Sequence, residues 1–107
     1  MRELNLDRLR TLVTIADLGS FAEAARTLHL APPTVSLHIA DLEALIGAPL
    51  LVRKRGEVRP SGAGEVLVQR ARRLLADADE AMDLVRRQVQ GLEGRVRLGA
   101  STGAIAH

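Results

Sequence analysis

Few side chains in this sequence have the types and spacing that catalysis needs. None of the three histidines lies at metal-ligand spacing from another: His29, His38 and His107. Ser20 and Ser36 lack a plausible base partner, and "RPSGAGE" lacks the lysine and the spacing of a phosphate-binding loop. The chain has no cysteine, which excludes disulfide frameworks and cysteine-ligated zinc modules. We therefore expect no enzymatic activity and no metal or cofactor in this chain.

The cations offer a different chemistry. The net charge is only +2, but basic residues concentrate between residues 53 and 73, where only Glu57 and Glu65 oppose them: Arg53, Lys54, Arg55, Arg59, Arg70, Arg72 and Arg73. Arginine makes bidentate contacts with phosphate and guanine and fits narrow grooves. A solvated basic face is the alternative, and so local a cluster favours a nucleic-acid contact surface.

The stretch "APPTVSLHIADLEALIG", residues 31–47, predicts a helix that begins near the two prolines and ends at Gly47. At about 100° per residue, one stripe of this helix is apolar and must be buried: Val35, Ile39, Leu42 and Ile46. The opposite face carries Pro33, Leu37, Ala40 and Ala44, with Thr34, Ser36 and Asp41 on its flanks.

The outward face of this helix has no lysine, arginine or glutamate at its centre, which is unusual for a solvated helix. In a major groove, Leu37 could contact a thymine methyl group while Thr34 and Ser36 reach base edges or phosphates. A protein–protein contact or an incidental surface leucine explains the same pattern equally well. His38, on the flank near the core, fits either a phosphate contact or plain packing.

The neighbouring elements must position this helix. "NLDRLRTLVTIADLG" has helical periodicity with Asn5 as N-cap and Gly19 as stop, and Ser20 with Glu23 forms a capping box for a second short helix. Two short strands, 50–53 and 57–59, flank a basic turn over 54–56. With a single aromatic residue, the core must be aliphatic and helical. The expected fold is mainly α: a winged helix-turn-helix of three helices and a β-hairpin wing, followed by a long helix.

The sequence resembles the DNA-binding part of LysR-type transcriptional regulators. The residues that carry this resemblance are "GSFAEAARTLHLAPPTVSLHIADLEALIGAPLLVR" and "VRPSGAGEVL". Several positions depart from the family pattern. Leu37 stands where arginine is frequent and Ala40 where lysine is, while Pro32 replaces a common glutamine, Ala31 a common serine cap and Leu51 a usual phenylalanine. The wing tip, Arg55–Gly56, reverses the common Gly–Arg order. These departures predict a site with thymine where a relative would require guanine.

The resemblance implies a recognition helix over 32–46 in the major groove and a basic wing over 53–59 at the minor groove or backbone. We assign base readout to Pro33, Thr34, Ser36 and Leu37. We assign backbone or minor-groove contacts to Pro32, His38, Arg53, Lys54, Arg55 and Arg59. A helical protein–protein interaction module that uses a winged fold is the alternative reading, and salt dependence separates the two.

From Ser61, which can cap it, a long helix with coiled-coil spacing begins. Its seam is Leu67, Ala71, Leu74, Ala78, Ala81, Val85 and Leu92, with Gln88 as a polar exception. The resemblance implies a linker helix that pairs with its twin, so that a homodimer reads an interrupted palindrome of double-stranded DNA.

The expected division of the chain is a DNA-binding domain over 1–60, with its helix-turn-helix at about 21–40, and a linker helix over 61–92. We expect Gly91 and Gly94 to end the helix and "RVRLGAS" to open, at 93–107, a truncated effector-binding domain whose missing part binds a small-molecule inducer. No signal peptide or membrane-spanning run is evident, so a cytoplasmic, nucleoid-associated bacterial protein without membrane contact is expected.

Overall fold

The computed structural model of the chain describes the backbone of residues 3–99 and the side chains of residues 3–91. Its elements follow the predicted order of three helices, an antiparallel hairpin and a long helix: α1 Leu6–Leu18, α2 Phe21–Leu28, α3 Pro32–Ile46, β1 Leu51–Lys54, β2 Glu57–Pro60 and α4 Gly62–Gly99. The predicted fold class, mainly α with a winged helix-turn-helix and a long helix after it, is confirmed.

The helix ends form where short polar side chains and glycines occur. The Asn5 side chain accepts from the N–H groups of Asp7 and Arg8 at 2.8 and 3.3 Å and so begins α1. Ser20 Oγ accepts from the Glu23 N–H at 3.1 Å, while the Glu23 carboxylate bonds to Arg26 rather than closing the capping box. α3 has no side-chain cap, because its N-cap residue, Ala31, has no polar side chain. Its proline residues occupy the first turn, where their missing N–H groups are not needed.

The three short helices bury a common aliphatic core. Its fully buried side chains include Leu9, Leu12 and Ile15 from α1, Ala24 from α2, and Val35 from α3, with Ile39 and Leu42 nearly so. Ile46, which we expected in this core, is 44% exposed. That expectation is wrong because the last turn of α3 runs past the core before the chain reverses at Gly47.

The hairpin is held against the helices by its second strand. The Val58 N–H donates to the Gly19 carbonyl at 3.1 Å, and the Val58 side chain is buried in the core. β1 begins and ends one residue later than the expected 50–53, and β2 ends one residue later than the expected 57–59, since Leu51 pairs with Pro60 and Lys54 with Glu57. Proline is tolerated here because this is a two-stranded edge.

Leu50 joins α3, the wing and α4. Its side chain is fully buried, its N–H donates to the Glu43 carboxylate at 2.8 Å, and its carbonyl accepts from the Ser61 N–H at 2.9 Å. Ser61 caps α4, as predicted, by accepting from the Gly64 N–H at 3.0 Å, and its hydroxyl donates to the Pro49 carbonyl at 2.7 Å. Gly64 lies so close to Leu50 that a Cβ atom there would be 1.9 Å from the Leu50 oxygen.

α4 belongs to two compact units. The first unit runs to Leu75, beyond the boundary expected at residue 60, because Val68, Ala71 and Leu75 are buried with the core of the DNA-binding domain. The second unit begins at Ala76 and, in its described part, consists of the rest of α4.

α4 also runs further than the sequence pattern indicated. The expectation that Gly91 and Gly94 end the helix is wrong, and so is the strand expected from Arg95, because the backbone stays helical to Gly99. Glycine costs a helix interior only about 1 kcal/mol and ends it only where the chain turns away. The end of the predicted strand, residues 100–101, and His107 lie outside the described residues.

Candidate nucleic-acid interface

The outward face of α3 is exposed as the sequence predicted. Pro32, Pro33, Ser36 and Leu37 are exposed, and Leu37 is 56% exposed despite its apolar side chain. Thr34 is partly exposed on the flank. The helix therefore presents small polar groups and one large apolar group together, which suits contact with base edges and thymine methyl groups.

Both carboxylates of α3 are engaged by the protein. Asp41 Oδ2 accepts from Arg8 Nε at 3.0 Å and lies 2.9 Å from Arg8 Nη2. The Glu43 carboxylate accepts from the Leu50 N–H at 2.8 Å. Because Arg8 pairs with the Asp41 carboxylate and the Leu50 N–H holds the Glu43 carboxylate, neither side chain is free to extend toward an approaching ligand. Sequence spacing did not reveal the Arg8–Asp41 pair, since its partners lie on different helices.

The wing turns one arginine toward α3. Directly paired residues of an antiparallel hairpin project to the same face, so Arg53 lies on the same face as the buried Val58. Arg53 lines an open groove of about 350 Å³ whose other walls include Phe21, Ser36, Ala40 and Glu43. This groove separates the wing from the exposed face of α3.

The cations of the wing differ in their partners. Within residues 3–91, Arg53, Lys54 and Arg55 make no ion pair, whereas Arg59 Nη2 lies 3.1 Å from a Glu57 carboxylate oxygen. Three consecutive unpaired cations at the hairpin tip give a local positive field.

The tip of the wing is a two-residue turn. Arg55 has φ +54° and is followed by Gly56 at φ +82°, which is the left-handed pair that this kind of turn requires. Arginine is an unusual residue at such a position, where asparagine, aspartate or glycine is favoured.

The basic residues of α4 are also divided. Arg72 bonds to the Asp17 carboxylate through Nη2 at 2.5 Å and Nη1 at 3.3 Å. This hydrogen bond raises the pKa of Arg72, with a smaller opposing effect from desolvation. Arg70 and Arg73 are exposed. The seven basic residues that we expected to form one cluster therefore fall into three groups. Arg53, Lys54 and Arg55 are the cations of the wing tip, Arg59 and Arg72 are paired with carboxylates, and Arg70 and Arg73 are exposed on α4.

His38 makes a specific bond to α1. Its Nδ1 lies 2.8 Å from Thr11 Oγ1, and the Thr11 hydroxyl donates to the Asp7 carbonyl at 3.1 Å. The ring is half-buried, and Thr11 is 1% exposed. Sequence reasoning missed Thr11, whose polar side chain on a buried helix face is the signal that could have found it.

The seam predicted along α4 is wrong at its start. Ala71 is fully buried in the core of its own domain, and Leu67 packs against that core, so Ala71 is not available to a partner helix. Leu74 and Val85 are 42% and 59% exposed, Ala81 is exposed, and Ala78 is half-buried. Leu92 lies where the structure describes only the backbone.

A second frame of coiled-coil spacing fits the exposed residues better. Met82 and Val89, which the first frame omits, are 51% and 46% exposed. Ala78, Met82, Val85 and Val89 follow one another at steps of four, three and four, without the polar Gln88. Toward the N-terminus of α4, this second frame continues into Leu75 and Ala71, which are buried in the domain core.

Two further features are absent from the described part of the chain. Its side chains contain no group of three or more His, Asp or Glu residues that could hold a metal ion. None of its helices combines the length and hydropathy that crossing a membrane requires.

Residues 6–65 match the family model described as "Bacterial regulatory helix-turn-helix protein, lysR family". The chain is 38% identical over 103 residues to the nitrogen assimilation regulatory protein nac of Klebsiella aerogenes, covering 96% of this chain and 34% of that protein. It is 38% identical over 99 residues to the small neutral protease regulatory protein of Streptomyces coelicolor, covering 92% of this chain and 30% of that protein. The chain thus spans about a third of the length of these relatives.

Two solved structures are similar to this chain in both fold and sequence. The protein in the complex of BenM_DBD with catB site 1 DNA is similar with a TM-score of 0.78 and 32% identity, over 82% of this chain and 98% of that one. Full-length OxyR C199D from Pseudomonas aeruginosa is similar with a TM-score of 0.78 and 30% identity, over 84% of this chain and 30% of that one.

Proposed function

We propose, from the premise that this chain belongs to the lysR family of bacterial regulatory helix-turn-helix proteins, that it binds double-stranded DNA sequence-specifically for a transcription regulator. One observation carries the proposal: α3 exposes Ser36 and Leu37 while both of its carboxylates are bound by the protein. A bacterial cytoplasmic location, at the nucleoid, follows from this proposal.

In the proposed complex, α3 enters the major groove with its first turns toward the bases. Pro33, Thr34, Ser36 and Leu37 contact base edges, and Pro32 and His38 contact the adjoining backbone. The wing contributes Arg53, Lys54, Arg55 and Arg59 to a phosphate strand or the minor groove. The groove of about 350 Å³ between α3 and the wing leaves room for a backbone strand beside Arg53.

A salt titration with site-selected DNA tests this arrangement. The logarithm of the binding constant should fall linearly with log[salt], by about 0.9 for each phosphate contact. Replacing Arg53, Lys54 and Arg55 by glutamine should reduce that slope by up to about 2.7 per subunit. Arg86→Gln is the matched control, because Arg86 lies on α4 beside Asp83. Failure to bind DNA at low salt, or binding that salt barely weakens, contradicts the proposal and favours the interaction module.

Base readout by Leu37 can be tested by removing one methyl group at a time. Each thymine of the site is replaced by uracil, one position at a time. Binding should weaken about fourfold at the position that Leu37 contacts, because burying one methyl group contributes about 0.8 kcal/mol. Leu37→Ala should abolish that difference and weaken binding by up to about 1–3 kcal/mol at the same base pair. Equal losses on every site variant would count against direct readout.

We also propose that the protein binds DNA as a homodimer. The second unit exposes Met82, Val85 and Val89 along one side of α4 at coiled-coil spacing, an apolar stripe that a second copy of the helix would cover. The dimer then presents two copies of α3 to two half-sites separated by one or more DNA turns, about 34–36 Å each. The partner DNA is accordingly an interrupted palindrome.

The small-molecule inducer implied by the family resemblance is assigned, in this proposal, to a domain outside this chain. The chain itself acts without a cofactor. Calorimetric titration of the chain with candidate inducers should show no binding, while a longer protein that includes the second domain should bind one of them.

A further inference from the structure

The recognition helix carries no permanent positive charge. α3 contains neither lysine nor arginine, and its charged residues are Asp41 and Glu43. His38 is the single residue of α3 that can become a cation. A helix that docks against a polyanion would gain attraction from that charge.

One edge of the His38 ring is held against α1. Thr11 Oγ1 lies 2.8 Å from His38 Nδ1 and 3.1 Å from the Asp7 carbonyl oxygen. In the protonated ring both nitrogens are donors, so Nδ1 donates to Thr11 Oγ1 while the Thr11 hydroxyl donates to the Asp7 carbonyl. The protonated ring therefore keeps its inner bond and has an N–H group at Nε2.

The Nε2 edge is accessible. Every buried side-chain nitrogen or oxygen in the described residues has a hydrogen-bond partner, whereas His38 Nε2 has none, so this atom reaches solvent. His38 lies one turn after Thr34, on the flank of the exposed face. The protonated ring thus presents a cationic donor, Nε2–H, at its outer edge.

Charged groups around His38 come from α1 and from α3 itself. Asp7 and Arg10 of α1 line the same pocket as His38, and Arg10 is engaged in an interaction of its own. Asp41, three residues further along α3, is paired with Arg8. From the α2 side the pocket is closed by the apolar Leu28 and Leu30. The charged groups around the ring are therefore of both signs: the carboxylates of Asp7 and Asp41 and the guanidinium groups of Arg8 and Arg10.

We propose that His38 is a proton-dependent phosphate contact, and that protonation of its ring tightens DNA binding as pH falls. The proposal rests on the proposed DNA-binding function. The sign follows from linkage: the phosphate favours the charged ring, so the complex binds more protons than the free components and affinity rises as pH falls. A role in packing alone would leave affinity independent of pH.

Binding to site-selected DNA at pH 6.0 and pH 8.0, each over a salt series, tests the inference. The wild-type chain should bind about fivefold more tightly per subunit at pH 6.0, with a salt slope steeper by about 0.9 for each His38 engaged. His38→Asn keeps a donor near the Nδ1 position but cannot titrate, so it should bind equally at both pH values.

His29→Asn is the matched control, since His29 is exposed and its φ of +56° suits asparagine. It should retain the wild-type pH dependence. Loss of pH dependence in this variant, its persistence in His38→Asn, or its absence in the wild-type chain would each overturn the inference. Absence of DNA binding at both pH values would instead overturn the proposed function itself.

A second measurement does not depend on a variant that folds. The ring-proton NMR signals of His38 can be titrated in the wild-type chain with and without DNA. The midpoint should move to higher pH on DNA, while that of His29 stays in place. An unchanged His38 midpoint contradicts the phosphate contact.

Discussion

Replacement of Gly64 by alanine should destabilise the DNA-binding unit severely. An added Cβ atom would lie 1.9 Å from the Leu50 oxygen, 2.9 Å from the Leu50 carbonyl carbon and 3.2 Å from Pro60 Cβ. Ordinary carbon contacts need about 3.5 Å, so α4 and Leu50 must separate by about 1.5 Å. Leu50 cannot move freely, because Glu43 and Ser61 hold its N–H and its carbonyl.

The cost combines overpacking with the weakening of these two buried hydrogen bonds, about 3 kcal/mol in the free energy of unfolding. For a domain of this size that lowers the melting temperature by about 12–24 °C. Urea and thermal unfolding followed by circular dichroism measure both quantities.

Gly62→Ala provides the comparison within the same helical turn. Nothing lies within 4 Å of a Cβ atom at Gly62, so this variant should be neutral or more stable by up to about 1 kcal/mol. Equal stability of the two variants, within about 1 kcal/mol, would refute the close contact between α4 and Leu50.

Three further substitutions test the wing, the dimer and the α3–wing connection. Arg55→Asn should leave the free energy of unfolding unchanged or raise it by about 0.5–1 kcal/mol, because asparagine suits φ +54°. The same substitution should lower the salt slope of DNA binding by about 0.9. Unchanged DNA binding would contradict the contact between Arg55 and a phosphate. Met82→Glu should reduce the dimer association constant measured by light scattering at least tenfold. Leu84→Glu is the control, because Leu84 is similarly exposed on another side of α4, and it should not reduce that constant. Equal effects of the two substitutions would contradict a dimer interface along Met82, Val85 and Val89. Glu43→Ala should cost about 1–2 kcal/mol in urea unfolding, and Glu43→Gln, which keeps an acceptor, much less.

The helix boundaries were largely predictable because their causes are local. Asn5, Ser20 and Ser61 each bond to N–H groups two or three residues further along the chain, and Gly47 ends α3 with φ +86°. A capping side chain and its target are so close in sequence that spacing alone identifies them. The order of elements followed from these boundaries.

The errors arose where packing decides between locally equivalent patterns. Ile46 continues the apolar stripe of α3, but only the core's extent determines that it is exposed. Gly91 resembles a helix stop, yet a glycine ends a helix only when the chain has somewhere else to go. Two heptad frames coexist on α4 and share Ala71, Ala78 and Val85, so spacing alone does not choose between them.

The sequence was sufficient to predict which residues of the candidate site are exposed, but not the side-chain contacts between α1 and α3 that hold some of them in place. The periodicity of α3 identified Leu37 and Ser36 as outward. The Arg8–Asp41 pair and the Thr11–His38 bond join residues from different helices, 33 and 27 positions apart. Such contacts depend on how α1 and α3 cross, which no short sequence pattern specifies.

The charge distribution separates the two tasks of a DNA-binding surface. α3 contains neither lysine nor arginine, so affinity from phosphate contacts depends mainly on the wing, whereas discrimination by Leu37 depends on an apolar contact. The thymine-to-uracil ratio of binding constants should therefore stay constant, at about fourfold, from 50 to 200 mM salt while the binding constants themselves fall steeply. Fluorescence anisotropy with both DNAs over that range measures the ratio directly. A ratio that shrinks with salt would mean that readout at this position is electrostatic, and would assign it to a residue other than Leu37.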